Sequence, residues 1–209
     1  MPRRYSLTEE GRAARASRRN ETTRALLDAA RKLFTEQGYD GVSVVEIGRL
    51  AGVSHTLINT YFGGKAGLLY ALVEAANAPQ LEATRAAVAR PDPAMVRLRA
   101  VFSAWAEADL ADPRAFQVLQ SYAWTWSAAT EAKNRAERLE FRKALEQLIV
   151  EGRARGEFPP GAPESVLSEA MVAIYLWGIR SAVYAGCAAS AAIDDLWPQV
   201  EALLGVAAD

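Results

Sequence analysis

The chain has 209 residues, is 51% hydrophobic and carries a formal net charge of −1, enough apolar material for one sizeable core or for a small head and a larger body. The near-neutral balance excludes a protein that coats nucleic acid by bulk positive charge, and the lone cysteine, Cys187, excludes an intramolecular disulfide or a cysteine-rich metal site. The Arg-rich start does not read as a secretory signal, and no run of about eighteen apolar residues is free of polar or charged breaks, so the chain reads as cytoplasmic with no membrane partner. The distribution of charge says more than its total. Residues 1–65 hold eleven Lys and Arg against seven Asp and Glu, whereas residues 66–209 hold thirteen against eighteen. A basic head on an acidic body suits phosphate contact at one end only.

In chain order, residues 1–20 are polar and rich in arginine (Arg3, Arg4, Arg12, Arg15, Arg18, Arg19) and read either as a basic arm or as an extension of the first helix. Thr22 or Thr23 is a candidate cap, after which Leu26, Ala30, Leu33 and Phe34 trace a helical stripe that ends at Gly38. Ser43-Val44-Val45-Glu46 is a capping box, in which the serine hydroxyl holds the Glu46 amide and the carboxylate reaches back. It opens a short helix with Ile47, Leu50 and Ala51 on one face, and Gly52 supplies the turn. Ser54 caps a second short helix from His55 to about Thr60, followed at once by Tyr61-Phe62-Gly63-Gly64-Lys65. Two short helices joined by a glycine turn form the unit that sets its second helix in a DNA major groove, so residues 21–66 read as a helix-turn-helix domain.

Beyond it, residues 67–209 read as a helical body. A helix from about Lys65 to Ala89 is stopped by Pro91 and Pro93; others cover about Ala94–Ala111, Pro113–Ala128 behind an Asp112 cap, and Glu131–Arg155. Gly156 to Gly161 is the clearest break, and two last helices span about Pro163–Gly186 and Asp195–Val206, with Pro198 tolerated in a first turn. No alternating run suggests a strand. The expected fold is all-α, about three helices in the head and six in the body.

Ala51-Gly52-Val53-Ser54, followed by Phe62, Lys65 and Leu68-Leu69, resembles the N-terminal domain of the TetR family of transcriptional repressors, over about Thr22–Leu72. Leu57 and Asn59 depart from it, standing where threonine and tyrosine are frequent, so the resemblance does not carry the family's phosphate contacts over to those two positions. The resemblance implies a dimeric, ligand-responsive regulator that binds a double-stranded DNA operator, and it assigns phosphate contact to Tyr61 and Lys65. The residues themselves suggest the rest. With Ile58 and Phe62 facing inward, His55, Thr56, Asn59 and Thr60 project outward, with Ser54 at the start of their helix. Asn59 suits a bidentate contact with adenine, and a threonine methyl can meet a thymine methyl. The helix opening at Ser43 offers amides to an anion, and Arg49 is placed to touch the backbone.

The body is rich in aromatic residues. By resemblance, Phe102, Trp105, Phe116, Tyr122, Trp124, Met171 and Tyr175 are candidates to line a small-molecule pocket; plain core filling is the alternative. Glu107, Asp109 and Arg180 would give such a pocket polarity, unless they are solvated or paired. The helix from Pro163 to Gly186 is apolar on two faces, which demands cover on more than one side. Either it is the central core helix of a monomer or, as the resemblance implies, it joins a homodimer through Leu167, Ile174, Gly178 and Ala182, with Trp197, Val200 and Leu204 of the last helix. No catalytic constellation, cofactor motif or metal-ligand spacing is present in the sequence. A helical carrier or enzyme for an apolar metabolite, and a DNA-binding regulator with no effector, are the competing readings.

Overall fold

The computed structural model describes residues 9–124 and 126–206, and among these residues it is all helical. The helices are α1 (Glu9–Gln37), α2 (Val44–Ala51), α3 (Thr56–Phe62), α4 (Lys65–Val88), α5 (Ala94–Leu110), α6 (Pro113–Ser121), α7 (Ala128–Ala154), α8 (Glu164–Ala185) and α9 (Ala189–Leu204). The chain divides into two compact units, with the boundary inside α4 between Val73 and Glu74.

In the first unit, Leu26, Ala30 and Phe34 of α1, Ile47 of α2, Ile58 of α3, and Leu68 and Leu69 of α4 are all buried. The capping box is present in full: the Glu46 amide donates to Ser43 Oγ (3.2 Å) while the Ser43 amide donates to Glu46 Oε2 (2.8 Å). Gly52 ends α2 at φ 69°, in the left-handed region that costs a residue with a Cβ about 1–2 kcal/mol. Val53 then donates to the Gly48 carbonyl at 3.0 Å, closing the helix end. Two details differ from the sequence reading. The first helix begins at Glu9, not at Thr22, whose hydroxyl instead donates back to the Arg18 carbonyl (2.8 Å) inside the helix; residues 9–20 are thus an extension of α1, and residues 1–8 lie outside the described residues. Leu50, expected on the inward face, is 46% exposed, and the residue that faces inward is Gly48. A Cβ at Gly48 would lie 2.8 Å from the His55 amide nitrogen, so the close approach of α2 to the start of α3 depends on glycine.

The second unit is built around α5, which packs on α7, α8 and α9. Leu98, Val101, Phe102 and Trp105 of α5 meet Leu145, Leu148 and Ile149 of α7, Leu167, Met171, Tyr175 and Ile179 of α8, and Leu196, Trp197 and Val200 of α9 in one buried cluster. Asp112 caps α6 by accepting from the Ala115 amide (3.1 Å), with Pro113 at its first turn. The α6 helix is shorter than expected, and α7 starts earlier, because Ser127 caps it through the Thr130 amide (3.1 Å). The last helix opens at Ala189 rather than Asp195, which leaves Pro198 in its interior on the exposed side. Phe158, in the loop between α7 and α8, is 3% exposed and fills the place where Gly152 has no side chain. By length and composition α8 would cross a membrane, but its stripe of Leu167, Met171, Tyr175, Ile179 and Ala182 is buried in the body, as in a core helix.

Candidate nucleic-acid interface

The short helix α3 owes its orientation to one side chain. Ile58 is fully buried, and this turns His55, Thr56, Asn59 and Thr60 outward, all exposed. Two of them are committed locally: Thr60 Oγ1 donates to the Thr56 carbonyl (3.2 Å), and the Thr56 and Ser54 hydroxyls share a hydrogen bond of 2.8 Å. The Ser54 hydroxyl also accepts from the Thr56 amide at 3.4 Å, a long cap, and His55 supplies none. Of the exposed side chains of α3, Asn59 and His55 carry polar groups of the kind that pair with base edges, beside the methyl groups of the two threonines.

Around α3 the structure spreads the expected phosphate contacts unevenly. Arg49 is exposed in the last turn of α2. The start of α2, read as an anion site, already holds an anion of its own. Glu46 accepts from both the Ser43 amide and the Ser43 hydroxyl (2.7 Å), and these bonds hold its carboxyl below the ordinary range, with the Arg49 and Lys65 charges assisting. Ser43 is thus occupied by the chain itself. Lys65 places its ammonium 4.2 Å from the centre of the Tyr39 ring, a cation–π contact that positions it half-buried at the start of α4. Tyr61 lies under the Arg19 guanidinium, 5.2 Å from ring centre to carbon. Arg19 comes beside α3 from the stretch that the sequence leaves open between arm and helix, and no local pattern announces it.

The body shows where its candidate residues stand. Phe102, Trp105, Met171 and Tyr175 are buried in one cluster, with ring centroids 5.3 Å apart for Phe102–Trp105 and 5.2 Å for Trp105–Tyr175. Phe116 and Tyr122 are half-buried. Trp124 is 94% exposed and lines no interior, a correction to its place among the pocket residues. Its own element ends at Ser121, so it sits in a turn and not on a helix face. Sequence reasoning missed the polar thread that joins these rings. The Trp105 indole donates to Thr84 Oγ1 (2.8 Å), Gln80 Nε2 donates to Asp109 Oδ1 (2.7 Å), and the Tyr175 hydroxyl donates to Asp109 Oδ2 (2.6 Å). Burial raises the Asp109 carboxyl to about 6 despite those two hydrogen bonds, and burial beside Asp109 raises the Tyr175 phenol as well. Of the three polar candidates, Asp109 is the enclosed one; Glu107 and Arg180 are exposed.

The dimer residues need a second correction. Leu167, Ala182, Trp197, Val200 and Leu204 are 0–5% exposed within one chain, and Ile174 and Gly178 are half-covered. A Cβ on Gly178 would meet Leu196 Cβ of the same chain at 3.0 Å. The buried five belong to the core of the body, and Gly178 sits at the contact between α8 and α9. The face of α8 left uncovered carries Val166 (55% exposed), Ala173, Trp177 (76%) and Tyr184 (72%), with Arg180 stacked over the Trp177 ring.

The first unit is thus a helix-turn-helix DNA-binding domain on an all-helical body. Residues 26–72 match the family described as bacterial regulatory proteins, tetR family. Over that segment the chain is similar to the TetR family of transcriptional regulators. Its fold is similar to that of FadR from Bacillus subtilis, solved in complex with stearoyl-CoA (TM-score 0.75, 19% identity, 88% of this chain and 98% of that one). It is similar also to the fatty acid degradation regulator FadR from Bacillus halodurans (0.72, 19%, 88% and 98%) and to the TetR family regulator PfmR from Thermus thermophilus (0.68, 22%, 88% and 99%). No curated protein matches the sequence.

Proposed function

We propose that the protein is a transcriptional repressor that binds a palindromic operator as a homodimer in the cytoplasm and is released by a small-molecule effector. Residues 21–66 would serve as the DNA-binding domain and residues 67–209 as the ligand-binding and dimerisation domain. The observation that carries this reading is α3: a helix pinned by Ile58 that presents Asn59, His55 and two threonine methyls on one exposed face. Reading a palindrome needs two such faces about 34–36 Å apart, which requires a dimer. The uncovered apolar stretch of α8 around Trp177 and Tyr184 is the face that a second copy would cover. Release follows from linkage: an effector that binds better to the body conformation unsuited to DNA lowers DNA affinity by that difference. One helix, α4, begins at the phosphate contact Lys65 and ends in the body unit at Val88, so it is the element through which the two events would couple. The FadR neighbour with bound stearoyl-CoA makes acyl thioesters the first effectors to test.

Selection of duplexes from a random pool by the purified protein tests the reading, with its mass by ultracentrifugation and a thermal-shift screen beside it. A two-fold symmetric consensus bound by a dimer is expected. Asn59→Ala should relax one base pair in each half-site, at a cost of about 1–3 kcal/mol against the best sequence. The same consensus with the same base ratios would remove Asn59 from the readers.

A further inference from the structure

Arg15, Arg18 and Arg19 lie outside the segment that matches the family, yet the structure sets them beside α3. Arg15, Arg18, Arg19 and Thr22 recur three and four residues apart on α1 and so share one stripe of it. With Thr60 and Tyr61 of α3 they line a notch of about 350 Å³. Among the described residues, the lining holds three guanidinium groups and no carboxylate. Both threonine hydroxyls spend their protons on backbone carbonyls, Thr22 on Arg18 and Thr60 on Thr56, so the guanidinium groups carry whatever recognition the notch performs. Three adjacent cations repel a cationic ligand and give an apolar one nothing, whereas planar nitrogen forks match the oxygens of a phosphate. Arg19 is steadied for this by the Tyr61 ring beneath it.

We propose that this notch is a phosphate-binding site that engages the DNA backbone beside the base pairs covered by α3, extending the footprint of the head beyond the helix-turn-helix. The inference rests on the head being DNA-binding. The choice of a DNA phosphate over a free phosphate ester follows from Thr60 and Tyr61, which wall the notch and continue the exposed face that carries Thr56 and Asn59. An anion held there lies beside the groove-facing residues.

The test is the salt dependence of operator binding by the full-length chain and by a variant with Arg15→Ala, Arg18→Ala and Arg19→Ala together. All three residues are exposed and alanine is the strongest helix former, so α1 should persist, which circular dichroism verifies. The slope of log affinity against log salt should become shallower by about 0.9 for each phosphate that the variant no longer neutralises, read as a roughly 3.5-fold smaller fall in affinity between about 50 and 200 mM salt. The preferred sequence should not change. The corresponding triple Arg→Lys variant should keep the slope, and on a duplex trimmed to the base pairs under α3 the alanine variant and the parent should bind alike. An unchanged slope on long operators, with the parent still binding them, overturns the proposal while leaving the DNA-binding head intact. An unchanged slope together with thermal stabilisation of the parent alone by inorganic phosphate assigns the notch to a free phosphate and overturns it equally. A parent that selects no DNA at all overturns both readings.

Discussion

The head and the body solve opposite problems with the same secondary structure. In the head, helices of seven and eight residues bury one side chain each, Ile47 and Ile58, and the candidate functional groups are among the exposed ones. In the body, helices of up to 27 residues bury long stripes, and the groups with unusual chemistry, Asp109 and Tyr175, are enclosed. A change at the surface of the head should therefore alter recognition without altering the fold, and a change in the body should do the reverse.

The sharpest break of that contrast compares two residues five apart on α8. Ala182→Arg introduces an unpaired charge at a fully buried position and should cost about 3–5 kcal/mol, unfolding the body in a thermal melt. Trp177→Arg, at a residue 76% exposed in one chain, should leave the melt of an isolated chain near that of the parent and act on assembly instead. If ultracentrifugation finds Ala182→Arg folded and monomeric while Trp177→Arg remains a dimer, the two faces have been assigned the wrong way round.

A second test concerns the enclosed carboxylate. The folded-state value of Asp109 is raised to about 6 from 3.8, so the folded chain holds this proton more tightly than the unfolded one. Its contribution is fully present below the unfolded value and is lost as pH rises through the folded one. The expected loss between about pH 4 and pH 7 is up to roughly 3 kcal/mol. Denaturant midpoints of Asp109→Asn should fall less over that range than those of the parent, and parallel curves would show that the carboxyl is not the source.

The third expectation brings packing into the head. Gly48→Val would force a side chain against the His55 backbone, which has no rotamer to yield, at a cost of about 1–3 kcal/mol. Operator affinity should drop because α3 shifts, with the preferred sequence blurred throughout the half-site and not at one base pair. Tight binding with an unchanged consensus would mean that the approach of α2 to α3 is slack.

What the sequence made legible follows the same division. The capping box at Ser43 and Glu46 and the turn at Gly52 are short-range chemical signals, and they stand in the structure as read. The helices were legible because Gly, Pro and caps punctuate them. Leu50 misled because five of the eight residues of α2 are apolar, which leaves the choice of inward face to packing against α1. On α8 the inward stripe and the outward one are both apolar, and only the positions of α5, α7 and α9 decide between them. Asp109 and Gln80 are 29 residues apart, a pairing that no local pattern announces.

The buried ring of Phe158 gives the body a fixed end and a yielding one. At the N-terminal end of α5 the loop is fastened: Phe158 sits in the gap at Gly152, Glu157 accepts from the Met95 amide, and Arg97 joins Glu151 at 2.6 Å. At the other end, some 25 Å away by the rise of a 17-residue helix, α6 follows without a single fully buried residue. Lifting α6 exposes little apolar surface, whereas lifting the Phe158 loop empties a packed site. Any expansion of this interior is thus directed, by the distribution of its anchors, toward Phe116 and the carboxylate of Asp109.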